Sequence, residues 1–253
     1  MQAISEIKNE LSKALDKNQL QNFLDTYSND ERSGVIKLCE SAVKKITAID
    51  LEIQRTFTMY EFERENAELG LLCGIDEVGR GPLAGPVYAA AVILPNDCNI
   101  LYLNDSKKLS EKKREELYDV IMDKAVAVGI GHADCSRIDE INILQATYEA
   151  MTQAVSNLGI EPGGLLIDAV HIPQLEKYKQ ISIIKGDAKS ASIAAASIIA
   201  KVTRDRLMKE YALKYPEYGF DSNKGYGSAE HIAALKKYGP CPIHRRTFIG
   251  NFV

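Results

Sequence analysis

Apolar positions at the start of the chain recur at helical spacing: Ile4, Ile7, Leu11 and Leu15 fall three or four residues apart, which predicts an amphipathic helix. Asn29-Asp30 then reads as a cap, and Val35, Ile36, Leu38, Val43, Ile46, Ile49, Ile53 and Phe57 carry the period on towards Phe62. Residues 1–69 contain one glycine, Gly34, and no proline. They are expected to form a polar helical extension, either a helical hairpin packed on a main domain or an arm for substrate or partner.

From residue 70 the pattern changes. Leu71 to Val78 and Val87 to Leu94 are apolar runs bounded by turn residues, which predicts a strand pair. Ser110 can cap a charged helix running to about Val126, followed by a strand over Ala127 to Ala133 and a helix over Asn142 to Leu158. Leu165-Leu-Ile-Asp168 and Ile181-Ser-Ile-Ile184 predict two short strands. Ser190 to Leu213 predicts a long helix whose small residues, among them Ala191, Ala194 and Ala200, suit close packing on a sheet. The expected fold class is α/β, a mixed sheet flanked by helices over residues 70–253.

The two predicted strands of the pair are joined by the most distinctive segment, Gly74-Ile-Asp-Glu-Val-Gly-Arg-Gly-Pro-Leu-Ala-Gly-Pro86. It sets two adjacent carboxylates before a glycine-rich turn that holds one arginine. A phosphate-binding P-loop would need Gly-Lys-Ser/Thr, which is absent. A dinucleotide fingerprint would need a helix after the glycines, where Pro86 and the run Val87 to Leu94 predict a strand. The remaining reading is a tight turn whose amides and Arg80 meet a polar ligand.

Four acids, Asp76, Glu77, Asp168 and Asp187, stand at or just after predicted strand ends. A charge placed there is costly unless paired or metal-bound. Hard cations such as Mg²⁺ and Mn²⁺ take oxygen donors of this kind. Two such ions about 3.5–4 Å apart serve phosphodiester hydrolysis. Taken singly, each acid also reads as a turn or cap residue. Alternation along a strand sends Asp76 and Glu77 to opposite faces, so both reach one site only if the strand ends or bulges there, which is the favoured expectation.

Composition bounds the setting. The 253 residues are 45% hydrophobic and 26% charged, without an apolar run long enough to cross a bilayer, and the start shows no secretory pattern. Five cysteines, Cys39, Cys73, Cys98, Cys135 and Cys241, are scattered and never in Cys-x-x-Cys spacing, so a reducing cytoplasm is expected. The net charge of −4 hides an asymmetry: residues 1–69 carry 9 basic and 13 acidic side chains, residues 185–253 carry 12 and 6. With a metal-neutralised acid cluster, the outer surface is more basic than the net charge implies.

Together these residues resemble bacterial ribonuclease HII, the type 2 ribonuclease H family. The resemblance rests on Gly74 to Pro86, Asn104-Asp-Ser-Lys-Lys-Leu-Ser110, Leu166-Ile-Asp168, and Ile184-Lys-Gly-Asp-Ala-Lys-Ser190 running into Ile193-Ala-Ala-Ala-Ser-Ile-Ile-Ala-Lys-Val-Thr-Arg-Asp205. Lys224-Gly-Tyr-Gly227 and His231 continue it, so that it spans about residues 71–246 in the family's order. It implies an RNase H-like fold over residues 70–253, an N-terminal helical extension over 1–69, and a two-metal site on Asp76, Glu77, Asp168 and Asp187 with Mn²⁺ or Mg²⁺. It further implies cleavage of RNA in RNA–DNA hybrids and 5′ of single ribonucleotides in duplex DNA, leaving 3′-hydroxyl and 5′-phosphate ends. The 2′-hydroxyl tells RNA from DNA; the resemblance assigns its sensing to Gly79-Arg80-Gly81 and places Tyr226 beside the neighbouring sugar. Lys107, Lys189 and Lys224 are candidates for phosphate contacts, each reading equally as a solvated surface lysine. The sister type, ribonuclease HIII, typically carries lysine where Arg80 stands, which favours type HII. Gln19-Leu-Gln-Asn-Phe23 is similar to a sliding-clamp-binding peptide, the basis for expecting a weak replication-clamp contact, although inside a helical pattern it reads first as structure.

Overall fold

The computed structural model describes residues 2–96 and 98–253. The chain divides into two compact units, one ending at Phe57 and the other spanning Thr58–Val253. In the first, α1 (Ile4–Lys13), α2 (Lys17–Tyr27) and the start of α3 (Ser33–Met59) close on Ile7, Leu11, Leu20, Phe23, Val35 and Ala42. The hairpin expected there is a three-helix arrangement. Asp16 caps α2 by accepting the Gln19 N–H at 2.8 Å, and Leu15, expected on the apolar face, lies between helices and is exposed. Asn29-Asp30 does not cap α3: Asp30 instead grips the Arg32 guanidinium at 2.6 Å, and the Arg32 carbonyl accepts the first helical N–H bonds. Leu20 and Phe23, the apolar residues of the clamp-like segment, face this core.

The second unit begins with α4 (Glu61–Glu65) and continues through β1 (Leu72–Val78), β2 (Val87–Ile93), α5 (Glu111–Lys124), β3 (Ala127–Ala133), α6 (Cys135–Ile141) and α7 (Ile143–Ser156). There follow β4 (Gly164–Asp168), β5 (Lys179–Ile183), α8 (Ala191–Lys214), α9 (Phe220–Asn223) and α10 (Ala229–Tyr238). The strands form one sheet in the order β3-β2-β1-β4-β5, with β2 antiparallel to both neighbours and β1, β4 and β5 mutually parallel. This is the mixed, helix-flanked α/β sheet expected from the alternation of strands and helices. Residues of β1 and β2 alternate between two cores: Val78, Ala90 and Val92 pack against α8 and α5, whereas Cys73, Ile75, Ala89 and Ala91 pack against α7. Both faces are covered, which explains why these strands read as continuous apolar runs.

The long helix comes unusually close to the central strand. A Cβ on Gly74 would lie 2.1 Å from the Ser192 backbone, so only glycine admits the first turn of α8 at this point. That turn is also held from outside. Ser190 caps α8, its hydroxyl accepting the Ile193 N–H and donating to Glu63 Oε1 at 2.7 Å. The same Glu63 oxygen takes the Ser192 N–H at 2.9 Å and the Ser192 hydroxyl. A carboxylate at a helix N-terminus also meets the positive end of the helix dipole. The start of α8, four residues after Asp187, is therefore fixed by packing and by charge.

Candidate active site

Asp76 and Glu77 lie near the end of the central strand. The strand neither ends nor bulges at the pair, contrary to expectation: β1 pairs one-to-one with β2 from Cys73↔Ile93 to Val78↔Tyr88, through Asp76↔Ala90 and Glu77↔Ala89. The antiparallel ladder keeps the strand regular, and the turn starts only at Gly79. Asp76 shares the strand face of Gly74 and Val78 towards α8, with Glu77 on the alternate register. Asp76 is buried and its Oδ1 accepts the Glu77 N–H at 2.7 Å.

Electrostatics nevertheless ties the acids together. Burial pushes the Asp76 carboxyl well above the usual carboxylate range, and repulsion from Glu77 and then Asp168 adds to it against a hydrogen bond from Ser197. Burial raises Glu77 as well; Arg80 opposes that rise, Asp168 reinforces it and Lys107 again opposes it. Asp187 is raised by burial, then by Asp105 and Asp168. Asp168 ends β4 on the strand parallel to β1, and its Oδ1 accepts the Gly186 N–H at 2.8 Å, tying it to the 3-10 turn Gly186–Ala188 that carries Asp187. The Asp168 charge thus reaches each of the other three predicted acids in a common field. Asp105 belongs to it too; it lay unassigned within Asn104 to Ser110 because its turn-capping bond to the Lys107 N–H gives it an ordinary local role.

Lys107 answers this field. Burial works against its charge, yet Asp105, Asp76 and Asp187 together hold its pKa above the usual lysine value. Arg80 faces Glu77 at 3.7 Å. Lys189 is exposed immediately after the Asp187 turn. Lys224 is turned elsewhere: its ammonium bonds the Asp221 carbonyl, and its charge acts on Glu111 of α5 rather than on the four acids. Among the described residues no group of three or more His, Cys, Asp or Glu side chains is arranged to hold a metal ion. The donor chemistry fits a hard cation all the same. The acids offer oxygen alone, Asp76 is buried, and its repulsion from its neighbours is relieved by positive charge.

The glycine-rich turn is held from beneath by two arginines for which no role was expected. Both Arg204 and Arg245 are fully buried. Arg204 donates to the Pro86, Lys224 and Ala84 carbonyls at 2.9, 2.9 and 3.1 Å. Arg245 donates to Gly85 through Nε at 2.9 Å, to Arg80 at 2.8 Å, and through Nη2 to Gly79 and Gly85 at 2.5 and 2.7 Å. Burial and then repulsion from Arg204 lower the Arg245 pKa to about 10, still charged at neutral pH. Gly79 has φ +90°, and a Cβ there would meet Arg204 Nε at 2.3 Å, so the position excludes every other residue. Gly81 is different: its Cβ would meet only Tyr226 Cε1, at 3.8 Å. With the carbonyls tied inward, the amides of Arg80 and Gly81 have no backbone acceptor among the described residues. The Gly225 carbonyl accepts the Leu83 and Ala84 N–H groups, so the loop carrying Tyr226 is laced to the turn.

Comparison with known proteins identifies the family of the chain. The family model "Ribonuclease HII" matches residues 73–251, and "Ribonuclease HII N-terminal domain" matches residues 3–67. The chain is 62% identical over 227 residues to the ribonuclease HII of Lachnoclostridium phytofermentans, covering 90% of this chain and 89% of the relative. It is 51% identical over 247 residues to that of Bacillus subtilis, covering 97% and 95%. Among solved structures it is similar to the ribonuclease H2 of Pyrococcus horikoshii, with TM-score 0.59 and 32% identity over 70% of this chain and 92% of that one. It is also similar to the ribonuclease HII of Archaeoglobus fulgidus solved in complex with PCNA, with TM-score 0.61 and 25% identity over 72% and 96%. The chain belongs to the ribonuclease HII family and is a ribonuclease H, a phosphodiester hydrolase.

Proposed function

We propose that this ribonuclease is a metal-dependent endonuclease that cleaves RNA in RNA–DNA hybrids and cuts duplex DNA on the 5′ side of a single embedded ribonucleotide. The products carry 3′-hydroxyl and 5′-phosphate ends, and the activity serves ribonucleotide removal and primer processing in the cytoplasm. One observation carries the reading: buried, mutually repelling acids stand at the strand end that opens directly into an inward-tied glycine turn. Catalytic domain and helical extension are assigned to residues 70–253 and 1–69.

Asp76, Glu77, Asp168 and Asp187 would hold the cation. When bound, Mg²⁺ or Mn²⁺ supplies activation of the attacking water and charge stabilisation at the leaving oxygen. The chain's own residues do the rest. Lys107, already poised among the acids, contacts phosphate beside the scissile bond, and Lys189 contacts the flanking backbone. Lys224 joins them on leaving its Asp221 contact. Gly79, Arg80 and Gly81 present backbone to the 2′-hydroxyl, and two buried guanidinium charges under the turn favour a phosphate above it. The exposed Tyr226 ring, beside Gly81, packs on the next sugar. A clamp contact, suggested by the archaeal relative solved with PCNA, would use a surface other than Gln19–Phe23, whose apolar side chains are in a core.

The reading is tested by incubating the protein and Mn²⁺ or Mg²⁺ with duplexes bearing one ribonucleotide or a run of several. Incision of both is expected; incision of the run alone would make this a hybrid nuclease that cannot act at one ribonucleotide. Gly81→Ala separates sensing from folding. Its Cβ makes only an ordinary van der Waals contact with Tyr226 Cε1, at 3.8 Å, so stability should change by less than about 0.5 kcal/mol. Narrowing the gap to Tyr226 should lower incision at a single ribonucleotide by roughly tenfold or more, a cost of about 1.4 kcal/mol. Equal losses in activity and in thermal midpoint would remove the sensing role.

A further inference from the structure

Behind Tyr226 lie two fully buried imidazoles that the chemistry above does not use. His231 and His244 are 0% and 2% exposed, and the Tyr218 and Phe220 rings pack on them at 4.9 Å from His244 and 5.3 Å from His231. Their ring nitrogens form a chain with fixed direction. The Cys241 amide N–H can only donate, and it meets His244 Nδ1 at 3.0 Å; the Cys241 thiol lies 3.1 Å from the same nitrogen. The His244 proton is therefore on Nε2, which faces His231 Nε2 at 3.0 Å. His231 must accept there and carry its own proton on Nδ1, which faces the Tyr226 carbonyl at 2.8 Å. A carbonyl can only accept, so both ends of the chain require the same two tautomers.

We infer that the His231–His244 pair is a positioning device for substrate recognition: neutral, and locked in these tautomers, it holds the Tyr226 carbonyl and so sets where the Tyr226 ring stands beside Gly81. The inference rests on the reading of Tyr226 as a substrate contact. A third proton breaks the chain wherever it lands. On His231 Nε2 it confronts the His244 N–H; on His244 Nδ1 it confronts the Cys241 N–H. The surroundings resist that proton. Burial lowers His231, and burial, His231 and Arg246 lower His244 to about 4, the backbone bond at Cys241 working the other way. Both groups are depressed, so the neutral chain is intact above the usual histidine pKa and is lost as pH falls towards that of His244. Neither histidine is near the four acids in sequence, and neither acts on them directly.

The test compares the full-length wild type with His231→Asn, His231→Gln and Tyr226→Ala on a duplex carrying one ribonucleotide, with thermal midpoints measured for each. The asparagine amide nitrogen stands where Nδ1 stood and keeps the donor to Tyr226; glutamine reaches His244 instead and loses it. His231→Gln is expected to raise KM by about tenfold, the worth of one buried hydrogen bond, and Tyr226→Ala, which keeps the carbonyl but loses the ring, by at least about as much, with kcat within about twofold in both. His231→Asn should restore KM to within about threefold of wild type. In the wild type, the affinity ratio for the ribonucleotide duplex over the same all-DNA duplex should fall as pH drops below about 5, and in His231→Asn it should fall less. A wild-type KM in Tyr226→Ala overturns the substrate reading and the inference with it. A raised KM in Tyr226→Ala with a normal one in His231→Gln overturns the inference alone. Should His231→Gln not fold, an equal fall of the ratio in wild type and His231→Asn overturns it.

Discussion

Asp76→Asn is expected to lower incision by at least roughly a thousandfold while leaving duplex binding intact and raising the thermal midpoint of the metal-free protein. Metal-borne charge stabilisation is worth several kcal/mol, and each factor of ten in rate corresponds to about 1.4 kcal/mol. The opposite sign for stability follows from the surroundings. Asp76 is buried, and both Glu77 and Asp168 repel its charged form. Asparagine removes that charge and keeps an oxygen to accept the Glu77 N–H now bonded at 2.7 Å. Paired measurements of incision rate and unfolding midpoint check this. Activity near wild type would sink the assignment of Asp76, and a midpoint lowered by several degrees would show that its charge is compensated in the folded chain.

The largest expected loss of stability comes from Arg245→Met. The guanidinium satisfies the Gly79, Arg80 and Gly85 carbonyls, which its removal leaves unpaired inside the protein. An unsatisfied buried group costs roughly 1–3 kcal/mol, so about 3–9 kcal/mol is expected for the three. Replacing a buried charge with an apolar side chain is often tolerated when its partner is removed with it. Here the partners are backbone carbonyls that no substitution can delete, so the destabilising effect wins. Against a typical total of roughly 5–15 kcal/mol, the loss would be severe. Arg245→Lys keeps a charge and cannot reach three carbonyls at once, so it should recover less than half. Denaturant unfolding checks both, and a midpoint unchanged in Arg245→Met would contradict the role given to this side chain.

What the sequence makes legible here follows from where free energy leaves a pattern. Strands covered on both faces, such as β1 and β2, show as continuous apolar runs, and the carboxylates stand out because they interrupt them. Short helices escape: α2 buries only Leu20 and Phe23, and α6 only Cys135 and Ile138, too few positions to establish a period. The expected strand end or bulge at Asp76-Glu77 came from requiring both acids to leave the strand on one side. The ladder remains regular, and it is long-range charge that joins them. Arg204 and Arg245 were invisible for another reason. Buried arginines that bond carbonyls have no local signature, because their partners are 20 to 166 residues away. The histidine pair is similar: only the three-dimensional sequence of donors and acceptors reveals its direction.

Two separable jobs are assigned to one segment, with Asp76 and Glu77 serving the chemistry and Gly79-Arg80-Gly81 choosing its place. The most direct measurement maps, at single-nucleotide resolution, the cut made in a DNA duplex carrying one ribonucleotide in the presence of Mn²⁺ or Mg²⁺. A single incision on the 5′ side of the ribonucleotide, with 3′-hydroxyl and 5′-phosphate ends, is the expected result. An intact duplex, or cuts scattered without regard to the ribonucleotide, would contradict it.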